Sequence, residues 1–168
     1  EDSLALREHG YLVAAERQAQ KVDGFDMGNS PFDYQHERIK GAKIALTTTN
    51  GTQAINAAKE AKQLLVGSFL NLDVLSDHLI IENNNVLCLC SGWKNRFNME
   101  DTLFAGAIVS KLRATGNFSV QCDSAIAAEY LYDIAKNDLY SFLENSSHRH
   151  RLKHLNLDEE VQLCLHTN

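Results

Sequence analysis

Proline is almost absent from these 168 residues, occurring once at Pro31, and no low-complexity run, charge block or internal repeat interrupts the chain. A chain of this length with so little punctuation is expected to form one domain over residues 1–168, large enough for a real core. Basic residues are in deficit: 16 Lys and Arg face 22 Asp and Glu, a formal charge of -6 with a pI of about 5.6. That balance argues against nucleic acid as a partner, because sequence-independent binding needs a basic face. It leaves room for a small anion, since local donors outweigh a weakly negative surface. No apolar run approaches membrane length, so no membrane partner is expected. No basic-then-apolar leader is present at the start. Cysteine is limited to Cys88, Cys90, Cys122 and Cys164 with no CxxC, which argues against a zinc site of the usual spacing. Cys88 and Cys90 alternate along one apolar run and read as small buried side chains rather than as a metal pair or nucleophile. Reduced thiols without a leader favour the cytoplasm.

What is present is an alternation of apolar runs and amphipathic stretches. The opening residues, Ser3 through His9 with Glu1 and Asp2 before them, read as the last turns of a helix closed by Gly10, without an initiator methionine, as in the middle of a longer protein. Strands are expected over residues 11–15, 43–49, 64–68 and 86–90, the last buried on both faces. Helices are expected over 52–62, from Asn71 or Asp73 to Leu79, over 99–115 with Gly116 ending it, and over 124–143, with a short helical piece at 32–38. Residues 24–31, Gly-Phe-Asp-Met-Gly-Asn-Ser-Pro, read as a structured loop. Such alternation implies an α/β fold built on a largely parallel or mixed sheet, in which ligands bind beyond the carboxyl ends of the strands.

Three polar clusters follow strands directly. The run Thr47-Thr48-Thr49-Asn50-Gly51-Thr52 ends a strand in hydroxyls, an amide and a glycine, and then becomes a helix. A helix N-terminus there is an anion cradle, although the same letters also serve as a plain N-cap. It is no Walker loop, because no Gly-Lys-Ser/Thr follows. Glu16-Arg17 is either a surface ion pair or a planar donor fork for carboxylate, sulfonate or phosphate. Glu100 and Asp101 open a helix, where acids complement the dipole and where a pair of carboxylates also suits magnesium. Asp26, in the glycine-flanked loop, reads equally as a magnesium ligand or nucleophile and as an acceptor that holds the loop. His148, His150 and His154 are interleaved with Arg149, Arg151 and Lys153, whose charge would repel a dication, so the segment reads as solvated or anion-facing. Trp93 reads most simply as a packing residue.

Taken together, Glu16-Arg17, the 24–31 block, Thr48-Thr49-Asn50-Gly51-Thr52 and Glu100-Asp101-Thr102 with Ala105-Gly106 resemble the 2-phosphosulfolactate phosphatases in order and separation. The similarity extends to Ser146-Ser147-His148 and Arg151-Leu152. The loop block and the Thr-Thr-Asn-Gly-Thr block are specific together, while either alone is only suggestive. The resemblance implies a layered α/β/α domain and magnesium-dependent hydrolysis of 2-phospho-3-sulfolactate to 3-sulfolactate and phosphate, a step of coenzyme M biosynthesis in methanogens. Two departures stand out. Members carry an N-terminal strand ending in an Asp-Val-Leu-Arg-Ala-Thr-like block and a last strand, both of which fall outside this chain. Gln18 stands where glycine is usual after the arginine.

Under that resemblance Mg2+ is the expected cofactor, held by Glu100 and Asp101. Asp26 and Asn50 are the expected catalytic residues. Arg17, Asn29, Ser30, Thr48, Thr49, Gly51 and Thr52 would hold the phosphate and the acidic arm. The partner is then a small phosphorylated anion, with a homo-oligomer compatible. Two other readings remain: a non-catalytic anion-binding or scaffold protein, and a phosphatase for another small phosphorylated hydroxy acid.

Overall fold

The protein is described by a computed structural model over residues 3–17 and 20–167; Glu1, Asp2 and Gln18 lie outside the described residues. A 3-10 helix over Ser3–His9 ends at Gly10, whose φ is +80°, and leads into β1, Tyr11–Arg17. Strand β2, Gln20–Lys21, folds back antiparallel on Glu16 and Arg17, and β3, Lys43–Thr47, runs parallel to β1 with Ala15 opposite Thr47. The sheet order is β2-β1-β3, a small mixed sheet with helices around it, so the expected α/β class holds. The edge of β1 beside β2 is completed by the 24–31 loop: Asp26 N–H donates to Val13 O at 2.9 Å and Ala15 N–H to Met27 O at 3.2 Å. This explains the burial of Val13, Ala14 and Met27, all 0% exposed.

Two expected strands do not form. Residues 64–68 and 86–90 belong to no ladder, and their side chains face outward, with Val66 71% and Leu87 89% exposed. At the first of these, Asn71 captures the backbone instead. Its Oδ1 accepts from Ser68 N–H at 2.8 Å and its amide donates to Val66 O at 3.1 Å, which turns the chain into a 3-10 turn over Phe69–Asn71. Apolar, β-branched letters make a strand only where a ladder and a packed face receive them. Cys88 and Cys90, expected as buried, are exposed for the same reason, as are Cys122 and Cys164.

Helix α1, Thr49–Ala57, starts three residues before the expected Thr52 and stops short of Lys62. No residue of α1 is buried, and a helix of this length without packing has little to extend it. Helix α2, Leu72–Glu82, starts after Asn71, one of the two expected caps, but that side chain makes no cap bond and the helix runs three residues past the expected Leu79; α3, Met99–Ala114, matches its expected bounds closely. The single helix expected over 124–143 is two, α4, Asp123–Ala135, and α5, Leu139–Phe142. Asp138 divides them by accepting Ser141 N–H at 3.0 Å, the local side-chain bond that competes with continuous helix. Helices α6, Ser147–Leu152, and α7, Asp158–Cys164, complete the described chain.

The apolar core lies among the helices. Phe69, Leu72, Leu103, Ala107, Ile108, Leu112, Ala135, Leu139 and Leu143 form one buried cluster. Helices α3 and α4 cross at Gly106, where an added Cβ would sit 2.1 Å from Ala128 O; only hydrogen fits there. No described helix is long and apolar enough to cross a membrane.

Candidate active site

Parallel pairing of β1 with β3 brings their carboxyl ends side by side. An open cleft of about 240 Å³ sits there, lined by Ala15, Glu16 and Arg17 from β1, Thr47, Thr48 and Thr49 from β3 and its continuation, and Val22 and Phe25. Arg17, Thr48 and Thr49 thus share one cleft. Thr48 is the N-cap of α1, and its own N–H donates to Thr52 Oγ1 at 3.3 Å, which knots the turn. A Cβ at Gly51 would meet Thr48 Oγ1 at 2.7 Å, so a larger residue there would push that hydroxyl aside. The first-turn N–H groups of a helix have no partner within it, so Thr49, Asn50 and Gly51 present donors and the positive end of the helix dipole.

The acidic pair stands at the far end of a shared loop. Asn98 caps α3 by accepting Asp101 N–H at 3.2 Å, and Asp101 Oδ2 in turn accepts Gly92 N–H at 2.6 Å. Residues 93–96 close on themselves, Trp93 N–H to Arg96 O at 3.2 Å and Arg96 N–H to Trp93 O at 3.0 Å. Lys94 and Asn95 between them have φ of 51° and 57°, as a type I′ turn demands. Lysine in that conformation is strained, and such strain gathers where a loop must be held in one shape. The turn aims Lys94 N–H at Asn50 Oδ1, a long contact of 3.4 Å. Loop 91–98 therefore touches both the hydroxyl-rich turn and the start of α3.

Burial, and then Glu100 next to it, raises the Asp101 carboxyl above its ordinary value against the pull of Gly92 N–H. Glu100 Oε1 accepts Ser146 Oγ–H at 2.9 Å. Beside them stands His148. Burial is the largest influence on it and lowers its pKa; Glu100 and Asp101 pull it up, while Arg151 and Arg149 push it down. Among the described residues no three His, Cys, Asp or Glu side chains are set to hold a metal. Glu100 and Asp101 each spend one oxygen on the bonds above. Two carboxylates still fit magnesium chemistry, which draws its other ligands from water and substrate oxygens.

Asp26, Asn29 and Ser30 lie elsewhere. Asp26 Oδ2 accepts Val13 N–H at 2.9 Å and its Oδ1 lies 3.3 Å from Arg7 Nη2, so the carboxylate clamps the loop to the middle of β1. The Val13 bond chiefly, with Arg7 and Arg38, holds the Asp26 pKa below its ordinary value against the effect of burial. Ser30 Oγ–H donates to Glu160 on α7 at 3.3 Å, and Asn29 is exposed. The loop is shaped from within, by Asp33 accepting Gly28 N–H at 3.0 Å and Tyr34 O–H donating to Gly28 O at 2.7 Å.

Trp93, His148 and Arg151 gather at one place, where the sequence led to an expectation of packing for Trp93 and of a solvated or anion-facing segment for the other two. The Arg151 guanidinium lies 4.6 Å over the Trp93 ring, Lys94 Nζ lies 4.5 Å from that ring, and Arg151 Nη2 donates to His148 Nδ1 at 3.0 Å. The available signal was the spacing His148-x-x-Arg151, one helical turn, which stacks the two side chains.

An α/β chain whose strand ends open on a donor-rich turn, with carboxylates one loop away, has the layout in which such folds place an anion. Comparison with known proteins gives the particular family: the chain belongs to the 2-phosphosulfolactate phosphatases, whose family model, described as 2-phosphosulpholactate phosphatase, matches residues 1–168. It is 39% identical to a "Probable 2-phosphosulfolactate phosphatase" of Thermotoga petrophila over 98% of this chain and 70% of that protein. Proteins of the same name from Caldanaerobacter subterraneus and Synechocystis are 36% and 39% identical over 92% and 91% of the chain. The chain spans 64% of the length of each of those two relatives.

Proposed function

We propose that the chain carries the phosphate-binding half, and the acidic helix start, of a phosphatase that hydrolyses 2-phospho-3-sulfolactate to 3-sulfolactate and phosphate. The observation that carries this reading is the shared cleft of Arg17 with Thr48 and Thr49, joined through Lys94 to loop 91–98 and so to Asp101. Family membership and the names of the relatives support the substrate. One site assembled from distant segments supports treating residues 1–168 as parts of one domain; the small number of cysteines, all free, fits a cytoplasmic protein.

In this reading the N–H groups of Thr49, Asn50 and Gly51 and the adjacent hydroxyls take phosphoryl oxygens. Their dipoles are fixed before the substrate arrives, so they favour the charge that gathers on those oxygens as the P–O bond breaks. Arg17 neutralises an acidic group at the mouth of the cleft. Asn50 orients the turn toward Lys94. Glu100 and Asp101 would hold Mg2+, which when bound supplies charge neutralisation at a phosphoryl oxygen. Asp26 holds the loop rather than reacting, since both its oxygens are already engaged.

Phosphate release from 2-phospho-3-sulfolactate tests the reading, measured with and without magnesium beside the Thermotoga petrophila relative. Release that depends on magnesium supports it. Activity in the relative and none here at any magnesium level would leave only anion binding.

A further inference from the structure

Two arginines two residues apart on α6 differ in how they are satisfied. Arg149 Nη2 lies 3.0 Å from Asp158 and its guanidinium stacks 4.2 Å over Tyr140. Arg151 also stacks on an aromatic ring, yet it makes no ion pair among the described residues. Its Nε is buried without any hydrogen-bond partner, the sole side-chain atom so placed among the described residues. Its one polar bond goes to His148 Nδ1. Guanidinium only donates, so that ring nitrogen accepts and His148 is the neutral tautomer with its proton on Nε2. A neutral imidazole does not balance the charge of Arg151. A half-buried cation with an orphaned donor is unfavourable until an oxyanion meets it.

We propose that Arg151, stacked on Trp93 with Lys94 on the same ring, binds the second acidic arm of the substrate, a sulfonate or a carboxylate. This rests on the phosphatase reading above for the identity of the ligand, and on the unpaired Arg151 for the site. The guanidinium keeps N–H groups beyond the one given to His148, donors of the kind that receive the oxygens of an oxyanion. Lys94 links the site to the phosphate turn, its N–H at Asn50 and its ammonium at Trp93. His148 keeps the guanidinium plane facing the ring and leaves its remaining N–H groups for the ligand. Arg151 thereby becomes a determinant of which phosphorylated acid is accepted, and Arg17 serves the phosphate cleft.

Trp93 is the only tryptophan in the chain, so its fluorescence reports this site alone. Methanesulfonate and acetate are titrated separately at constant ionic strength set with chloride. A saturable change is expected with at least one of them, weakened about tenfold or more in Arg151→Met, as the loss of a charge-assisted hydrogen bond requires. Arg151→Lys keeps the charge without the fork and falls between, while Lys136→Met, a surface control, is unchanged. A flat wild-type response to both probes overturns the proposal, as does an unchanged affinity in a cooperatively melting Arg151→Met. Should Arg151→Met not fold, the wild-type titration and Arg151→Lys decide. With substrate, Arg151→Met raises KM about tenfold or more and leaves kcat within a few-fold. A protein that releases no phosphate but shows the Trp93 response loses the phosphatase reading and keeps this site; release at unchanged KM in Arg151→Met does the reverse.

Discussion

The sheet region, residues 3–57, and the helical region beyond Ser68 divide the work unequally. The sheet region buries little: Val13, Ala14, Ala15 and Met27 are its core, and α1 buries nothing. Yet it holds the donors, because strand ends and a helix start place N–H groups and hydroxyls outward by their backbone geometry alone. The helical region holds the apolar cluster around Leu103 and Ile108 together with the carboxylates of α3. The donors of the turn therefore stand on the lightly packed half and the acids on the half that holds the apolar cluster, with loop 91–98 between them. A site divided in this way lets chemistry and stability be perturbed separately.

The largest effect expected is on catalysis. Asp101→Asn should lower phosphate release by about 10²-fold or more, the scale of losing one preorganised charged group; Asn50→Ala keeps its N–H donor, loses only the side-chain contact to Lys94, and should cost about tenfold. Thermal melting should move little in Asp101→Asn, since an amide oxygen still accepts Gly92 N–H. Equal losses of activity and melting temperature would return both residues to a structural role and erase the division.

Next in size are changes in packing. Leu103→Ala removes a side chain that is 0% exposed at the centre of the cluster and should lower stability by about 2–5 kcal/mol in denaturant unfolding. Gly106→Ala should cost about 1–3 kcal/mol by forcing α3 from α4. Ile55→Ala on α1, where the side chain is exposed, should stay within about 0.5 kcal/mol. A large loss at Ile55 would show that the sheet region is packed more tightly than its burial indicates.

The smallest effects concern pH, and they oppose each other. His148 has a lowered pKa in the fold, so the unfolded chain binds its proton first, and stability falls as pH drops from about 6.5 through the lowered value. Asp101 has a raised pKa, so the folded chain keeps its proton longer, and stability falls as pH rises from about 3.8 through the raised value. Melting temperatures across pH 4–7 should therefore flatten at the acid side in His148→Asn and lose their alkaline-going decline in Asp101→Asn. Matching profiles in wild type and both variants would refute the assigned environments.

Helix α3 and the turn into α1 were legible because their signals are local. Asn98 before Glu100 and Asp101, and hydroxyls before Gly51, act through bonds spanning three or four residues, and the chain carries those bonds wherever it folds. Strand β1 was legible for a related reason, as a short apolar run ending in a charged pair. Residues 64–68 and 86–90 show the limit: identical letters make a strand or an exposed segment according to whether a ladder receives them.

By itself, then, the amino-acid order determined the α/β class, the family, the donor turn and the acidic helix start, all of them properties of neighbours in the chain. Tertiary structure alone decided that Asp26 clamps β1, that Ser30 faces Glu160, and that Arg151 lies on Trp93 from 58 positions further along the chain. Those outcomes depend on which distant groups compete for each donor and acceptor, and that competition exists only once the elements have packed.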